Sequence, residues 1–300
     1  MAIKTVALIG TNGNLSAEVL RVLVLAGCFQ VTMVKRQSSV SSIPRTIADQ
    51  DVRTTTVDDG VSLESLKAAL DGQEAVVTCI PLRELAQHLR IADAAAFAGV
   101  KRVIPADYGR RDSDSPRAQQ LVPLFKLKVA VRARLQQLAA IDPNFSWTSI
   151  VCGHIFDWGL KNGFLHFDLE TKAADILDAG FYKSSTPTLG RVCEAIITIL
   201  ARDDERTRNR VVFMQSFCRA TSTEWNVRYV DSGEFIEEHK TKADAGAERR
   251  NREMRNGFST DLLGPREENL DEAVGRVVSS EIRSIASISH LWEELISSIP

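Results

Sequence analysis

Thr5-Val6-Ala7-Leu8-Ile9-Gly10-Thr11-Asn12-Gly13-Asn14-Leu15-Ser16 decides the reading of this chain. Thr5 to Ile9 is almost continuously apolar, as a strand buried on both faces should be. Leu15 to Leu25 then places Leu15, Val19, Val22 and Leu23 on one face at helical spacing, with Leu20 and Val24 widening the stripe. Between them, Gly10 permits a tight turn, and Gly13 lets backbone N–H groups approach a pyrophosphate at the helix N-terminus. Strand, glycine turn and helix in that order predict a dinucleotide site at Gly10, Thr11, Asn12, Gly13, Asn14 and Leu15. A third glycine is expected near position 16, where strand and helix pack closely, and this chain has Ser16.

Outward from that turn the same alternation continues. Strands are expected at Val31–Val34, Val52–Val57, Ala75–Thr78, Arg102–Ile104 and Ser146–Cys152. Helices are expected at Leu63–Leu70, Leu82–Phe97 and from about Pro123 to Ala140. Six strands with helical crossovers form a doubly wound parallel sheet, the NAD(P)-binding Rossmann arrangement. The second half is less regular: Gly153 to Gly180 reads as loop-rich, Leu189–Leu200 as a helix, and Val211–Met214 as a further strand. This predicts a dinucleotide-binding domain over residues 1–152, rejoined by about 186–217, and a smaller α/β substrate lobe from 153–185 and 218–300.

The end of the second strand bears on the cofactor. An acidic residue there would accept bonds from a ribose 2′-OH, whereas a basic one accommodates a 2′-phosphate. The strand runs Val34-Lys35-Arg36-Gln37-Ser38-Ser39, without a carboxylate. Arg36 offers a planar fork to phosphate, with Lys35 and Ser38 beside it, so NADP(H) is expected over NAD.

The helix from Pro123 carries Leu121, Leu124, Phe125, Val131, Leu135 and Leu138 as its apolar stripe, and Lys128 lies in the middle of that face. A lysine held out of water suits proton transfer near neutral pH. The same spacing also fits a lysine that snorkels to solvent or bonds a carbonyl, and periodicity does not choose between them. Lys126, Arg132 and Arg134 are placed at the surface. No Tyr-x-x-x-Lys pair, Gly-x-Ser-x-Gly elbow, His-Glu-x-x-His or Gly-Lys-Ser/Thr loop occurs. His154, just beyond the sixth strand at the carboxyl edge of the sheet, is a candidate pocket residue.

Composition narrows the function classes. The 300 residues carry 37 Lys plus Arg against 39 Asp plus Glu, which gives no concentrated positive field for nucleic acid or anionic membrane. Five scattered cysteines form no Cys-x-x-Cys pair, so neither a disulfide frame nor a metal site is expected. No apolar run reaches ~18 residues. A soluble, cytoplasmic protein is the expectation.

Several segments together resemble a known family, the NmrA-like and isoflavone-reductase-like atypical short-chain dehydrogenases, in their fungal branch. Gly10 to Leu15 is similar to the family's Gly-x-x-Gly-Asn-Leu opening. Ala98-Gly-Val-Lys-Arg-Val-Ile-Pro-Ala-Asp-Tyr-Gly109 resembles its Ala-Gly-Val-Lys-Arg-Phe-Ile-Pro-Ser-Glu-Phe-Gly. Phe125-Lys-Leu-Lys-Val-Ala-Val-Arg132 falls where family reductases carry a catalytic lysine, which maps onto Lys128. Trp147–Leu160 and Gly163-Phe164 resemble the aromatic segment bordering the substrate pocket, and Asn256–Gly264 resembles a C-terminal family stretch. Ser16 departs from the family glycine. Cys79-Ile80-Pro81 stands where a small Ser/Gly-rich turn faces the cofactor ribose, and the lobe reads as trimmed between Ser222 and Trp225.

The resemblance implies an NADPH-dependent reductase of a small aromatic or polyketide-like metabolite in secondary metabolism. Lys128 would be catalytic, Cys79 and Ile80 would join the cofactor set, and Tyr108, His154, Phe156 and Trp158 would meet the substrate. A monomer or homodimer with a small-molecule substrate is implied. Two other classes stay open: a non-redox isomerase, dehydratase or cyclase on the same fold, and an NADP-sensing regulator without catalysis.

Overall fold

The computed structural model describes residues 3–10, 12–40, 47, 52–109, 113–168, 171, 173–177, 185–202, 204–214 and 226–230. Expectations for Thr11, Cys218, the Ser222–Trp225 break, Asn256–Gly264 and most of 218–300 lie outside those residues.

The first half follows the alternation read from sequence: β1 (Thr5–Ile9), α1 (Asn14–Leu25), β2 (Gln30–Arg36), β3 (Val52–Val57), α2 (Leu63–Leu70), β4 (Ala75–Thr78), α3 (Leu85–Phe97) and β5 (Arg102–Ile104). Then come α4 (Pro116–Leu121), α5 (Leu124–Ile141), β6 (Ser146–Val151), α6 (Phe156–Lys161), β7 (Phe167–Asp168), β8 (Ala173–Leu177), α7 (Leu189–Arg202), β9 (Arg210–Phe213) and β10 (Asn226–Val230). The main sheet runs β3-β2-β1-β4-β5-β6-β9, and each of its pairings is parallel. It is the expected doubly wound order, extended by β9 to seven strands. A second, three-stranded sheet runs β10-β8-β7.

Strand alternation splits the core into two layers. Val6, Leu8, Val31 and Met33 pack with Val19, Leu20, Leu23, Val192, Ile196 and Leu200 beneath α1 and α7. Ala7, Ile9, Val34 and Val76 pack with Leu66, Ile91, Ala95, Val131 and Leu135 beneath α2, α3 and α5. Arg102, at the start of β5, is fully buried. It donates to Ser146 Oγ at 2.9 Å, Thr148 Oγ1 at 2.9 Å and Thr207 Oγ1 at 3.0 Å, tying β5 and β6 to the turn before β9.

Two sequence boundaries shift. Leu121 belongs to α4, a separate short helix capped by Ser115 and opened by Pro116, and is exposed, so the inward stripe of α5 begins at Phe125. The segment read as loop contains α6, β7 and β8. Alternation over the two residues of β7 is too short to register in sequence. No helix among the described residues is long and apolar enough to cross a membrane.

Candidate active site at the carboxyl edge of the sheet

The strand order reverses between β1 and β4, and ligands of such sheets bind outside the carboxyl ends at that point. Gly10 has φ +90°, and a Cβ there would stand 2.4 Å from Ile80 Cγ2 and 3.1 Å from Ile80 N. Glycine is required because the turn after β4 is seated on it, with Cys79 N–H donating to Ile9 O at 2.8 Å. Gly13 is the N-cap of α1, and no acidic side chain occupies the first turn. Asn14 and Leu15 open the helix, and Leu15 packs partly against the core. The fully buried Ser16 accepts from Gly13 N–H at 2.8 Å and donates to Gly13 O at 2.8 Å. Ser16 therefore engages an amide at the very edge where a phosphate would be received.

At the end of β2, Arg36 is exposed and Lys35 is half-buried. Asn12 Nδ2 reaches Ser39 Oγ at 3.5 Å and links the glycine turn to this strand end. Ser38 is engaged differently from the sequence expectation. Its N–H and O–H donate to Asp59 Oδ1 at 3.0 and 2.6 Å. Those two hydrogen bonds, aided by the Arg36 charge, hold the Asp59 carboxyl below the usual range. The strand end lacks a carboxylate in sequence, yet the β3–α2 loop delivers one beside it.

Cys79 and Tyr108 pack against the α1 and α7 core layer. Burial pushes the Cys79 thiol up to about 12 and Tyr108 well above the usual phenol range, with the neighbouring thiol adding to the tyrosine shift. The buried Tyr108 hydroxyl faces Cys79 but meets no hydrogen-bond geometry among the described residues, so the two are in contact rather than bonded. Both groups stay protonated at neutral pH.

Lys128 is 6% exposed, as the α5 stripe implies, and its Nζ is paired. It donates to Asp107 O at 3.2 Å and Tyr108 O at 3.3 Å, and lies 3.3 Å from Asp107 Oδ1. The ammonium does not snorkel to solvent: it points onto the segment after β5 and bonds two of its carbonyls, the other arrangement that periodicity left open. A Cβ on Gly109 would stand 3.0 Å from Nζ, so this glycine leaves room for the ammonium. Burial pushes the nearby Cys152 thiol up to about 11, and the Lys128 charge pulls against that rise.

Arg132 corrects the surface placement made from sequence: it is 7% exposed. Its Nε donates to Asp107 Oδ2 at 2.5 Å, its Nη1 lies 3.3 Å from Asp114, and Ser149 Oγ also donates to Asp107 Oδ2. Asp107, only 2% exposed, thus joins two cations and a hydroxyl. Lys128 and Arg132 are i and i+4 on one inward face. Two cations on that face call for a buried anion, and the fold supplies it as Asp107. Asp59 had no such signal, because its partner, Ser38, follows the neighbouring strand β2.

Beyond β6, Gly153 N–H donates to Gly109 O at 2.8 Å and brings His154 toward the Lys128 segment. His154 packs on Phe164 with centroids 5.2 Å apart, and Trp158 packs on Phe164 at 5.8 Å. Trp158 is 39% and Phe164 50% exposed, so together with His154 they form an accessible aromatic cluster. Phe156 differs: it is buried on α6. The described geometry holds Lys128 Nζ on the Asp107 and Tyr108 carbonyls beside Gly109.

A family model described as the NmrA-like family matches residues 2–204. The chain is 29% identical over 251 residues to an oxidoreductase, poxI, of Penicillium oxalicum, covering 78% of this chain and 76% of that one. It is also 29% identical to an oxidoreductase, aprR, of Aspergillus flavus, covering 78% and 79%. Among solved structures, the binary complex of leucoanthocyanidin reductase with NADPH from Vitis vinifera superposes with TM-score 0.74 at 14% identity, over 92% of this chain and 99% of that one. Triphenylmethane reductase of Citrobacter sp., complexed with NADP(H), gives TM-score 0.63 at 18% identity, over 91% and 99%. These structural likenesses speak to the fold; with the family match over more than half of its length, the chain belongs to the NmrA-like family.

Proposed function

We propose that the chain is an NADP(H)-dependent reductase of a small aromatic or polyketide-like metabolite, with Lys128 as its proton-transfer residue. The observation that carries the reading is the buried Lys128 Nζ, fixed on the carbonyls of Asp107 and Tyr108 at the carboxyl edge of the sheet. The oxidoreductase relatives and the NADPH-bound fold neighbours support the redox class.

The residues present fit the cofactor. The turn from Gly10 to Gly13 and the start of α1 carry no acidic side chain that would repel a pyrophosphate. Gly13, Asn14 and Leu15 would hold the pyrophosphate by backbone N–H groups, and Arg36 with Lys35 would hold the 2′-phosphate. When bound, the nicotinamide supplies the hydride. Lys128 holds or moves a proton at Nζ for the oxygen of the substrate, and Gly109 keeps space for that ammonium. Cys79 and Ile80 close the turn over Gly10, while His154, Trp158 and Phe164 would stack an aromatic substrate and keep water from it.

The test is NADPH oxidation by the purified protein across a panel of aromatic ketones and enones. Turnover that falls by two orders of magnitude or more in Lys128→Met supports the reading. A full panel without turnover, alongside tight NADPH binding, transfers the assignment to a sensor without catalysis.

A further inference from the structure

A small pocket lies against the lysine, lined by Leu82, His88, Pro105, Asp107, Lys128 and Arg132, with Ala106 and Val131 completing it. Its volume is ≈ 10 Å³, about the room one water needs. Two of its lining residues contribute buried polar atoms with no hydrogen-bond partner among the described residues: Asp107 Oδ1 and Arg132 Nη2. Both residues are more than nine-tenths buried. Oδ2 of the same carboxylate is fully engaged by Arg132 Nε and Ser149, whereas Oδ1 meets only the Lys128 ammonium at 3.3 Å. Such groups are costly to leave unsatisfied, and a dry cavity of this size is ordinarily apolar.

We propose that this cavity is a binding site for a single structural water, donating to Asp107 Oδ1 and accepting from Arg132 Nη2, and that the water–Asp107–Arg132 unit positions Lys128. The water would satisfy Oδ1, leaving the Lys128 ammonium to the carbonyls of Asp107 and Tyr108 beside Gly109. Burial lowers His88, whose Nε2 lies 3.4 Å from Pro81 O, so that ring is neutral. Asp114 balances Arg132 from outside, and Cys152 is a protonated thiol. The water site rests on packing alone, while its use in proton transfer rests on the reductase reading.

The sign of a cavity-filling change decides the matter. Val131→Ile adds one methyl group to a lining position. In a dry void the added group improves packing and Tm rises or holds. If it displaces a bridging water, Asp107 Oδ1 and Arg132 Nη2 are stranded and Tm falls by roughly 2–4 °C or more. Labelling of the full chain by a water-soluble amine reagent, resolved by peptide mass spectrometry, reports Lys128 against Lys126 on the same helix. The proposal expects Lys128 labelling to rise about threefold or more relative to Lys126 in Val131→Ile. A high-resolution crystal structure of the unmodified protein should show one water within hydrogen-bond distance of both atoms. An unfilled cavity there, or a Val131→Ile protein with raised Tm, overturns the site. Water in the density with unchanged Lys128 labelling overturns its positioning role. NADPH affinity, measured in parallel, should be the same in both proteins, so loss of binding by the unmodified chain would instead count against the reductase reading.

Discussion

Replacing Lys128 by methionine keeps the apolar stem and deletes one ammonium, and the structure fixes what that deletion costs. The group lost makes two charge-assisted bonds to backbone carbonyls, at 3.2 and 3.3 Å, and an ion pair at 3.3 Å. An unpaired lysine would make the change neutral or stabilising, since removing a buried charge relieves a penalty. Here Asp107 loses one of two cations, and stripping a buried pair outright typically costs about 3–5 kcal/mol. Arg132 and Ser149 remain on Oδ2, so the carboxylate is not left bare. The expected loss is therefore the lower figure for unsatisfied buried acceptors, about 1–3 kcal/mol. For a chain of this size that is a fall in Tm of roughly 2–10 °C. Turnover should fall much further, by about 10²–10⁴-fold, the usual worth of a positioned proton donor or acceptor. The assay pairs NADPH oxidation with thermal unfolding on the same preparations. Full activity in Lys128→Met would refute the proton-transfer role, and a raised Tm would refute the pairing.

Three further outcomes are expected. Arg36→Ala should remove most of an NADPH-over-NADH preference of about tenfold or more, because a charge-assisted bond to phosphate is worth roughly 1.5–3 kcal/mol; paired titrations check it, and an unchanged ratio counts against Arg36. Ser16→Gly frees the Gly13 amide and removes a helix-start bond, so Tm should drop a few degrees while NADPH affinity holds or improves, read by calorimetry and fluorescence titration. Hydrogen bonds from Ser62 and Ser65 hold the Asp58 carboxyl down at about 2 from an ordinary 3.8. A depressed folded value means this stabilisation is present above about pH 4 and is lost as pH falls toward 2. Ser62→Ala, which also removes the α2 cap, should therefore lower stability at pH 6 and flatten the fall between pH 4 and 2, as urea titrations would show.

Local rules carried the first half of the chain. The glycine turn, the continuous apolar strands and the helical stripes each act over a few residues, so from β1 through β6 each element except the short α4 was legible with boundaries off by three residues at most. The lobe was not: α6 is a six-residue helix tied to Pro187 and Leu189 some thirty residues on, and the two-residue β7 is too short to show alternation. The candidate site divides along the same line. Lys128 was visible from its place on an apolar face, but the surface placement of Arg132 failed because its counter-charge, Asp107, comes from the end of β5. Asp59 escaped notice for a related reason, meeting Ser38 across two strands. Periodicity locates a buried charge; only the tertiary fold names its partner.

The central claim is that this edge of the sheet receives NADP(H). Titrating the purified chain with NADPH while following nicotinamide fluorescence tests it most directly, with NADH as the control. Saturable NADPH binding about tenfold or more tighter than NADH is expected, with most of that preference lost in Arg36→Ala. Absence of saturable binding by either nucleotide to the folded chain would contradict it.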